Sequence, residues 1–337
     1  MLALKRFWAI LKARNLEFFR DKSSLSWSII FPVLLLAGFA VVFSDNDKDV
    51  YKVGVIDKPD NFSAFSDVRF INFVDYQDID AAMTKLERHQ LDLVIDHTNK
   101  KIWQNESSAN SYIVQKMLSG AIDERWQSSF IDGRAIRYVD WVLPGILGMN
   151  MMFSCLFGVG YVIVRYRKNM VLKRLNATPV KAIEFLAAQI TSRLWIVIAI
   201  SGSVFAGCDF IFDFYMLGSF WNLLLVAVLG AMSLISLGLL LSSRSRSEEL
   251  TGGLLNLVTW PMMILSGVWF SLEGSPEFIR QISYFLPLTH LVEGARAVMI
   301  EGADFVALST HTIPLAVMTF VFLTIGALMF RWDGDGR

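Results

Sequence analysis

Apolar and polar positions are segregated along this chain in blocks of tens of residues. An apolar run covers 25–43, and a mostly polar block, 44–139, follows it. Further apolar runs lie near 141–164, 185–206, 217–241, 250–270 and 312–330. A helix needs about 20 predominantly apolar residues to cross a hydrocarbon core, and each run meets that length. The pattern predicts an α-helical polytopic membrane protein with six transmembrane helices and a soluble insert between the first and second. One more stretch, 282–300, is partly apolar but carries His290, Glu293 and Arg296, with Pro287 inside it. As a seventh span it would bury ions at roughly 2.5–3.5 kcal/mol for a mid-membrane arginine. A re-entrant helical hairpin over about 271–303, before the sixth span and covered by protein, fits better.

Finer periodicities fill in the blocks. In 1–24, Leu4, Phe7, Trp8, Leu11 and Phe18 recur at helical spacing with bases between them. This predicts an amphipathic helix lying in the inner interface rather than a basic flank that only sets topology. The basic region is long and the first apolar run exceeds a signal-peptide core. Ala37-Gly-Phe-Ala40 also lacks small residues at cleavage spacing, so the first span is expected to be retained. Inside 44–139, strands are expected over 51–56, 70–74, 91–95 and 101–104. A helix is expected from Ile79 to near His89, and another over 109–138 leading toward the second span. Alternating strands and helices predict an α/β domain.

Charge gives the sidedness. Lys5, Arg6, Lys12, Arg14, Arg20 and Lys22 precede the first span. Arg165, Arg167, Lys168, Lys173, Arg174 and Lys181 follow the second, and Arg244 and Arg246 follow the fourth. By the positive-inside rule these segments are cytoplasmic, as are both termini, including the tail 332–337. The loop 207–216, with Asp209 and Asp213 but no base, is then outside. So is the 44–139 domain. The formal net charge of +0 carries no nucleic-acid signature.

Chemical motifs are sparse. Cys155 and Cys208 sit in or beside apolar runs and read as packing residues. The polar block has no cysteine, and His89 and His97 there read as surface residues, so no metal site is expected. No GxxxxGK[ST], HExxH, CxxC or GxSxG pattern is present, and no internal repeat. Asn61-Phe-Ser63, Asn105-Glu-Ser107 and Asn176-Ala-Thr178 match the glycosylation sequon, the last in a loop expected inside, which shows how cheap the pattern is. Arg193 is the notable charge within a span. Snorkelling to the inner interface is the favoured reading over a partner in a transport path. So few intramembrane charges disfavour a proton- or ion-driven pump.

Two stretches carry a family likeness. One is Arg165-Tyr-Arg-Lys-Asn-Met-Val-Leu-Lys-Arg-Leu-Asn-Ala-Thr-Pro179. The other is Trp260-Pro-Met-Met-Ile-Leu-Ser-Gly-Val-Trp-Phe270 followed by Pro287-Leu-Thr-His290 and Glu293-Gly-Ala-Arg296. With Leu143-Pro-Gly145 opening the second span, they resemble the permease subunits of type-2 ABC exporters. The polar insert, starting Val53-Gly-Val-Ile-Asp57, is similar to the extracytoplasmic domain of the drug-exporter-like subgroup. Many members have Gly where this chain has Met170, ahead of the Leu-Lys-Arg-Leu element. Met favours a helix running through that point over a tight turn.

The resemblance implies a non-catalytic permease in the bacterial cytoplasmic membrane. It would export a hydrophobic or amphiphilic small molecule. The alternatives are lipid or lipid-linked glycan export, or, further off, a membrane-anchored sensor or scaffold. A separate ABC ATPase would supply ATP and Mg, and this chain would bind no cofactor directly. A second permease subunit, identical or different, would complete the pathway in the lipid membrane, with a periplasmic adaptor as a further candidate partner and no nucleic acid. ATPase coupling would fall on about 165–179, through Arg167, Leu172, Lys173, Arg174, Leu175, Thr178 and Pro179. Leu172 and Leu175 would sit in the ATPase groove, and Pro179 would end the helix. The permease–permease contact would use Gly252, Gly253, Asn256, Ser266 and Gly267, small or hydrogen-bonding groups that permit close approach. Met149, Met152, Phe153, Met262 and Met263 are candidate pathway residues. Glu273, His290, Glu293 and Arg296 either form an outer gate or satisfy one another.

Overall fold

In the computed structural model the sheet of the first polar block is built from five strands: β1 (Tyr51–Ile56), β2 (Ile71–Tyr76), β3 (Leu93–Asp96), β4 (Lys101–Asn105) and β5 (Gln127–Ile131). The structure describes residues 2–42, 51–56, 71–118, 127–131, 136–245, 247–272 and 275–332. The strand order is β2-β1-β3-β4-β5. β1 pairs in parallel with β2 and β3, β3 pairs antiparallel with β4, and β4 pairs in parallel with β5. Among the described residues, two helices, α3 (Ile79–Glu87) and α4 (Ala109–Leu118), belong to this unit. The period-two alternation of strand side chains divides its apolar residues between two faces. Val53, Val55, Leu93, Ile95 and Ile102 pack with Val114 and Leu118 of α4. Ile56 and Val94 pack with Ala82 and Leu86 of α3. The interior strand β1 is therefore apolar on both sides, as a covered parallel strand must be.

Four of the strands fall where the alternation predicts them. The fifth corrects the expected helix over 109–138, because α4 stops at Leu118 and Gln127–Ile131 is a strand on β4. Asn105, read as a sequon, is buried. Its amide donates to Leu86 O and Glu87 O at 3.3 and 3.2 Å, and its Oδ1 accepts from Ser107 N at 3.0 Å. This side chain closes the carboxyl end of α3. Asn105→Ala takes the donor from Glu87 O and one donor from Leu86 O, which keeps His89 N at 3.1 Å, and costs about 1–2 kcal/mol. Limited proteolysis of the intact chain is expected to cut within 51–131 several-fold faster in this variant, and an unchanged rate would contradict the capping role.

The second compact unit comprises Met1–Val42 and Val139–Arg337. Its helices are α1 (Leu2–Arg20), α2 (Lys22–Val42), α5 (Tyr138–Lys168), α6 (Val171–Asn176), α7 (Ala182–Phe212), α8 (Phe220–Ser242), α9 (Glu248–Leu265), α10 (Glu277–Ser283), α11 (Pro287–Glu301) and α12 (Ser309–Met329). Of the described helices, α5, α7, α8 and α12 are each long and apolar enough to cross a membrane. The pair α1–α2, bent by 59°, makes a fifth candidate if counted as one. The chain is thus mostly helical with four to five candidate spans. α9 falls short of the apolar run expected over 250–270, because it starts on Glu248 and Glu249 and ends at Leu265. The stretch 282–300 lies in the short pair α10 and α11 rather than in one long helix.

Helix α5 forms the core of this unit. Met149, Met152, Cys155, Leu156, Val159 and Ile163 are buried against residues of α7, α8, α9 and α11. Small residues set the closest approaches. A Cβ on Gly238 of α8 would lie 3.1 Å from Leu156 Cα, and one on Gly326 of α12 would lie 3.2 Å from Leu240 Cα.

Between α5 and α6 the chain turns sharply at Met170, whose φ of 57° is left-handed. This corrects the expectation of a helix continuing through that point. Asn169 N and Met170 N still close the last turn of α5 onto Arg165 O and Arg167 O, and Arg174 N begins α6 on Met170 O. The turn that glycine would accommodate freely is adopted here by methionine, at a local cost of about 1 kcal/mol.

Candidate functional site

α1 is joined to the helices around it by charged seams. Arg6 donates to Pro179 O at 2.6 Å and pairs with Glu184 of α7 at 3.0 Å. Asn15 Oδ1 accepts from the Ser192 hydroxyl. Glu17 is a hub that pairs with Arg14 at 2.9 Å and Arg165 at 2.6 Å and accepts from the Tyr166 hydroxyl. Arg14 also donates to Gly158 O at 3.1 Å. Leu11, Arg14 and Phe18 face inward, whereas Leu4, Trp8, Leu16 and Phe19 are exposed. The helix is therefore two-faced, with its apolar outer side left for another medium.

Between α1, α2, α5 and α7 lies a cavity of about 670 Å³. Arg14, Glu17, Asp21, Arg165 and Arg193 supply its charges, and Trp27, Phe31, Phe153, Phe157 and Tyr161 its aromatic surface. Arg193 is only 8% exposed. Its Nε donates to Ser154 O at 2.7 Å, Nη2 donates to the same oxygen, and the group stacks 5.4 Å from the Phe18 ring centroid. The structure corrects the snorkelling expectation: the guanidinium turns into a helix interface because Gly158 leaves room. A Cβ at Gly158 would collide with it. Of the candidate pathway residues, Phe153 lines this cavity. Met149, Met152 and Met262 are buried in the core, and Met263 packs at its edge.

The residues expected to couple to an ATPase divide into two groups. Arg167 and Leu172 face inward. Leu172 is fully buried in the helical core, so it is unavailable to a partner's groove. The buried Arg167 donates to Ser242 O at 3.3 Å, Ser243 O at 2.9 Å, Arg331 O at 3.2 Å and Ser245 O. It thus caps the carboxyl end of α8 from another helix and is no surface contact. Lys173, Arg174, Thr178 and Pro179 are exposed, and Leu175 is half-buried. Thr178 Oγ1 closes the end of α6 on Leu175 O at 2.6 Å.

The α9 residues are likewise redistributed. Gly252 serves an internal contact, since a Cβ there would lie 2.5 Å from the Tyr161 hydroxyl oxygen. Ser266 is buried, and Gly267 forms a turn at φ +68°. Gly253 and Asn256 are exposed and share a helix face with the exposed Leu257, Trp260 and Ile264. Among the described hairpin charges, His290 and Arg296 each reach main-chain carbonyls. Glu273 lies outside the described residues. His290 is buried, with Nε2 2.8 Å from Tyr284 O and Nδ1 3.4 Å from His311 Nδ1. Arg296 donates to Trp141 O at 3.0 Å and Val268 O at 3.3 Å, its Cζ 3.6 Å from the Trp141 ring centroid. Glu293 is half-buried.

Sequence reading misses the Glu17–Arg165–Tyr166 hub, Gly158 and His311. The usable signals were present. Arg14 and Glu17 in α1 and Asp21 just after it recur at helical spacing, and Phe153, Phe157 and Tyr161 recur every fourth residue in α5.

Comparison with known proteins agrees with this architecture. The family model of the ABC-2 family transporter protein matches residues 22–328. The inner membrane transport permease YhhJ of Escherichia coli (strain K12) is 27% identical over 183 residues, which is 54% of this chain and 49% of that protein. The probable multidrug ABC transporter permease YbhS of the same organism is 22% identical over 191 residues, 56% of this chain and 48% of that protein. The linearmycin resistance permease protein LnrN of Bacillus subtilis (strain 168) is 23% identical over 182 residues, 51% of this chain and 46% of that protein. The chain spans about half the length of these three relatives. A family match over nearly the whole chain, on a helical unit with several candidate spans and a short basic helix between two of them, places this protein in the ABC-2 transporter family.

Proposed function

We propose that the chain is the permease subunit of an ATP-driven exporter in the bacterial cytoplasmic membrane, moving hydrophobic or amphiphilic small molecules outward. α2, α5, α7, α8, α9 and α12 are its six crossings, and α1 lies in the inner interface with Leu4, Trp8, Leu16 and Phe19 toward lipid. Both termini and α6 are cytoplasmic, and the five-stranded domain and the α10–α11 hairpin are on the outer side. α9, about 27 Å long at 1.5 Å per residue, nearly spans the hydrocarbon core, and the buried residues 266–268 extend the crossing under cover of the protein. A second permease subunit packs on the exposed Gly253–Asn256–Leu257–Trp260–Ile264 face. The names of YbhS and LnrN support small-molecule efflux over glycan export.

The observation that carries this reading is the short helix α6. Leu172 anchors it in the core, Arg6 of α1 holds the Pro179 carbonyl just after it, and Lys173 and Arg174 project from it. A rigid basic knob of this kind passes motion from an ATPase with an acidic groove to both α5 and α7. The double variant Lys173→Glu, Arg174→Glu changes only exposed groups, so the fold is retained. Co-purification with the ATPase encoded beside this chain is expected to fall at least about tenfold, the fold-change of losing two favourable charge contacts. Undiminished association and ATPase stimulation by the variant would sink the coupling role of α6.

A further inference from the structure

We propose that the cavity between α1, α2, α5 and α7 binds the anionic head group of an amphiphile. Arg193 holds the head group, and the apolar part lies along the aromatic strip of α5. As a statement about cargo this rests on the export reading above, whereas binding itself stands on the cavity.

The charged wall has one cation left over. Glu17 is already shared by Arg14, Arg165 and Tyr166. Arg193 has no carboxylate partner among the described residues, and its Nε and Nη2 share a single acceptor, Ser154 O. A guanidinium stays charged at any physiological pH. Holding it in a helix interface without a counter-ion is costly. An incoming carboxylate or phosphate supplies the missing charge through short, charge-assisted hydrogen bonds.

The remaining wall is apolar and continuous. Phe153, Phe157 and Tyr161 follow one another along α5 with ring centroids 5.8 and 5.5 Å apart, and Trp27 stacks on Phe31 at 5.4 Å. The volume is that of a small-molecule pocket. A small inorganic anion would leave the rings without a partner, and a neutral apolar ligand would leave Arg193 without one. A molecule with both parts satisfies Arg193 and the rings together, while Asp21 on the same wall already has a partner. Gly158 is integral to this arrangement, since only a residue without Cβ lets the guanidinium reach the cavity wall.

The test uses the full chain in phosphatidylcholine nanodiscs, titrated with 9,10-dibromostearate or its methyl ester. Bromine quenching of Trp27 is read as the difference between the native chain and Trp27→Phe. The acid is expected to half-saturate at about tenfold lower concentration than the ester, with millimolar inorganic phosphate leaving the quenching unchanged. Arg193→Gln removes the charge, and Gly158→Ala displaces it without removing it. Each is expected to bring the acid to the level of the ester, with ester quenching retained as the sign that the cavity still forms. Equal half-saturation by acid and ester in the native chain overturns the proposal, and this comparison needs no variant to fold. Displacement of the acid by phosphate, which would mark a small-anion site, also overturns it, as does an acid preference that survives both substitutions. No ATPase or transport enters the measurement, so its failure leaves the export reading standing. Loss of ATPase association in turn leaves the binding result intact.

Discussion

Replacing Arg167 with alanine is expected to lower the melting temperature of the detergent-solubilised chain by about 10 °C. The guanidinium reaches four main-chain carbonyls, those of Ser242, Ser243, Ser245 and Arg331. The first two lie at the carboxyl end of α8, where helical carbonyls have no partner of their own. Arg167 is 8% exposed, so water cannot take its place after truncation. Losing a charge-assisted network at a buried helix end costs about 3 kcal/mol or more. Arg167→Lys should recover little, because one ammonium cannot span acceptors that a planar five-donor fork reaches together. Lys168→Ala is the control one residue away. Its ion pair with Glu248 at 3.1 Å is solvent-exposed on both sides, and such pairs contribute only about 0–1 kcal/mol. Equal melting temperatures for the Arg167 and Lys168 variants would refute the capping role.

Arg167 also shows where sequence reading loses sight of the structure. It stands in a run of bases, and a run of bases is most simply a solvated face. Only the fold brings Ser242, some seventy-five residues later, up against it. Arg193 repeats the lesson, since the glycine that admits it lies on α5, a different helix. Local signals fared better. Tyr51–Ile56 is a strand because its side chains suit a covered parallel strand, and Ile79–Glu87 is a helix opened by Asp78, whose carboxylate accepts from Asp80 N at 3.1 Å. β5 was illegible because Gln127, Ser128 and Ser129 have weak strand preference, and β4 supplies the hydrogen bonds that make them a strand. The aromatic spacing in α5 was readable, but that those rings border a cavity with Arg193 was not.

Gly145→Ala is the second substitution expected to have a large effect. Gly145 lies in the Leu-Pro-Gly element near the start of α5, where nothing in the sequence says what the glycine is for. In the structure a Cβ there would lie 2.5 Å from Val268 O and 3.2 Å from Val268 Cα. Alanine in a helix is worth about 1 kcal/mol over glycine, so taken alone the change would stabilise α5. The contact reverses the sign, because the opposing atoms are main chain and cannot swing away as a side-chain tip can. Val268 is fully buried, and its carbonyl also accepts from Arg296 at 3.3 Å. Forcing that carbonyl outward therefore pulls on the brace by which α11 holds α5 through Trp141. Overpacking of this kind costs about 1–3 kcal/mol, and a lost hydrogen bond to a charged group adds about 1.5 kcal/mol more. Gly207→Ala in α7, where no atom lies within 4 Å of the added Cβ, should raise the melting temperature slightly or leave it unchanged. If both alanine variants melt together, the turn at 266–270 yields freely to α5, and Arg296 cannot then be a rigid brace.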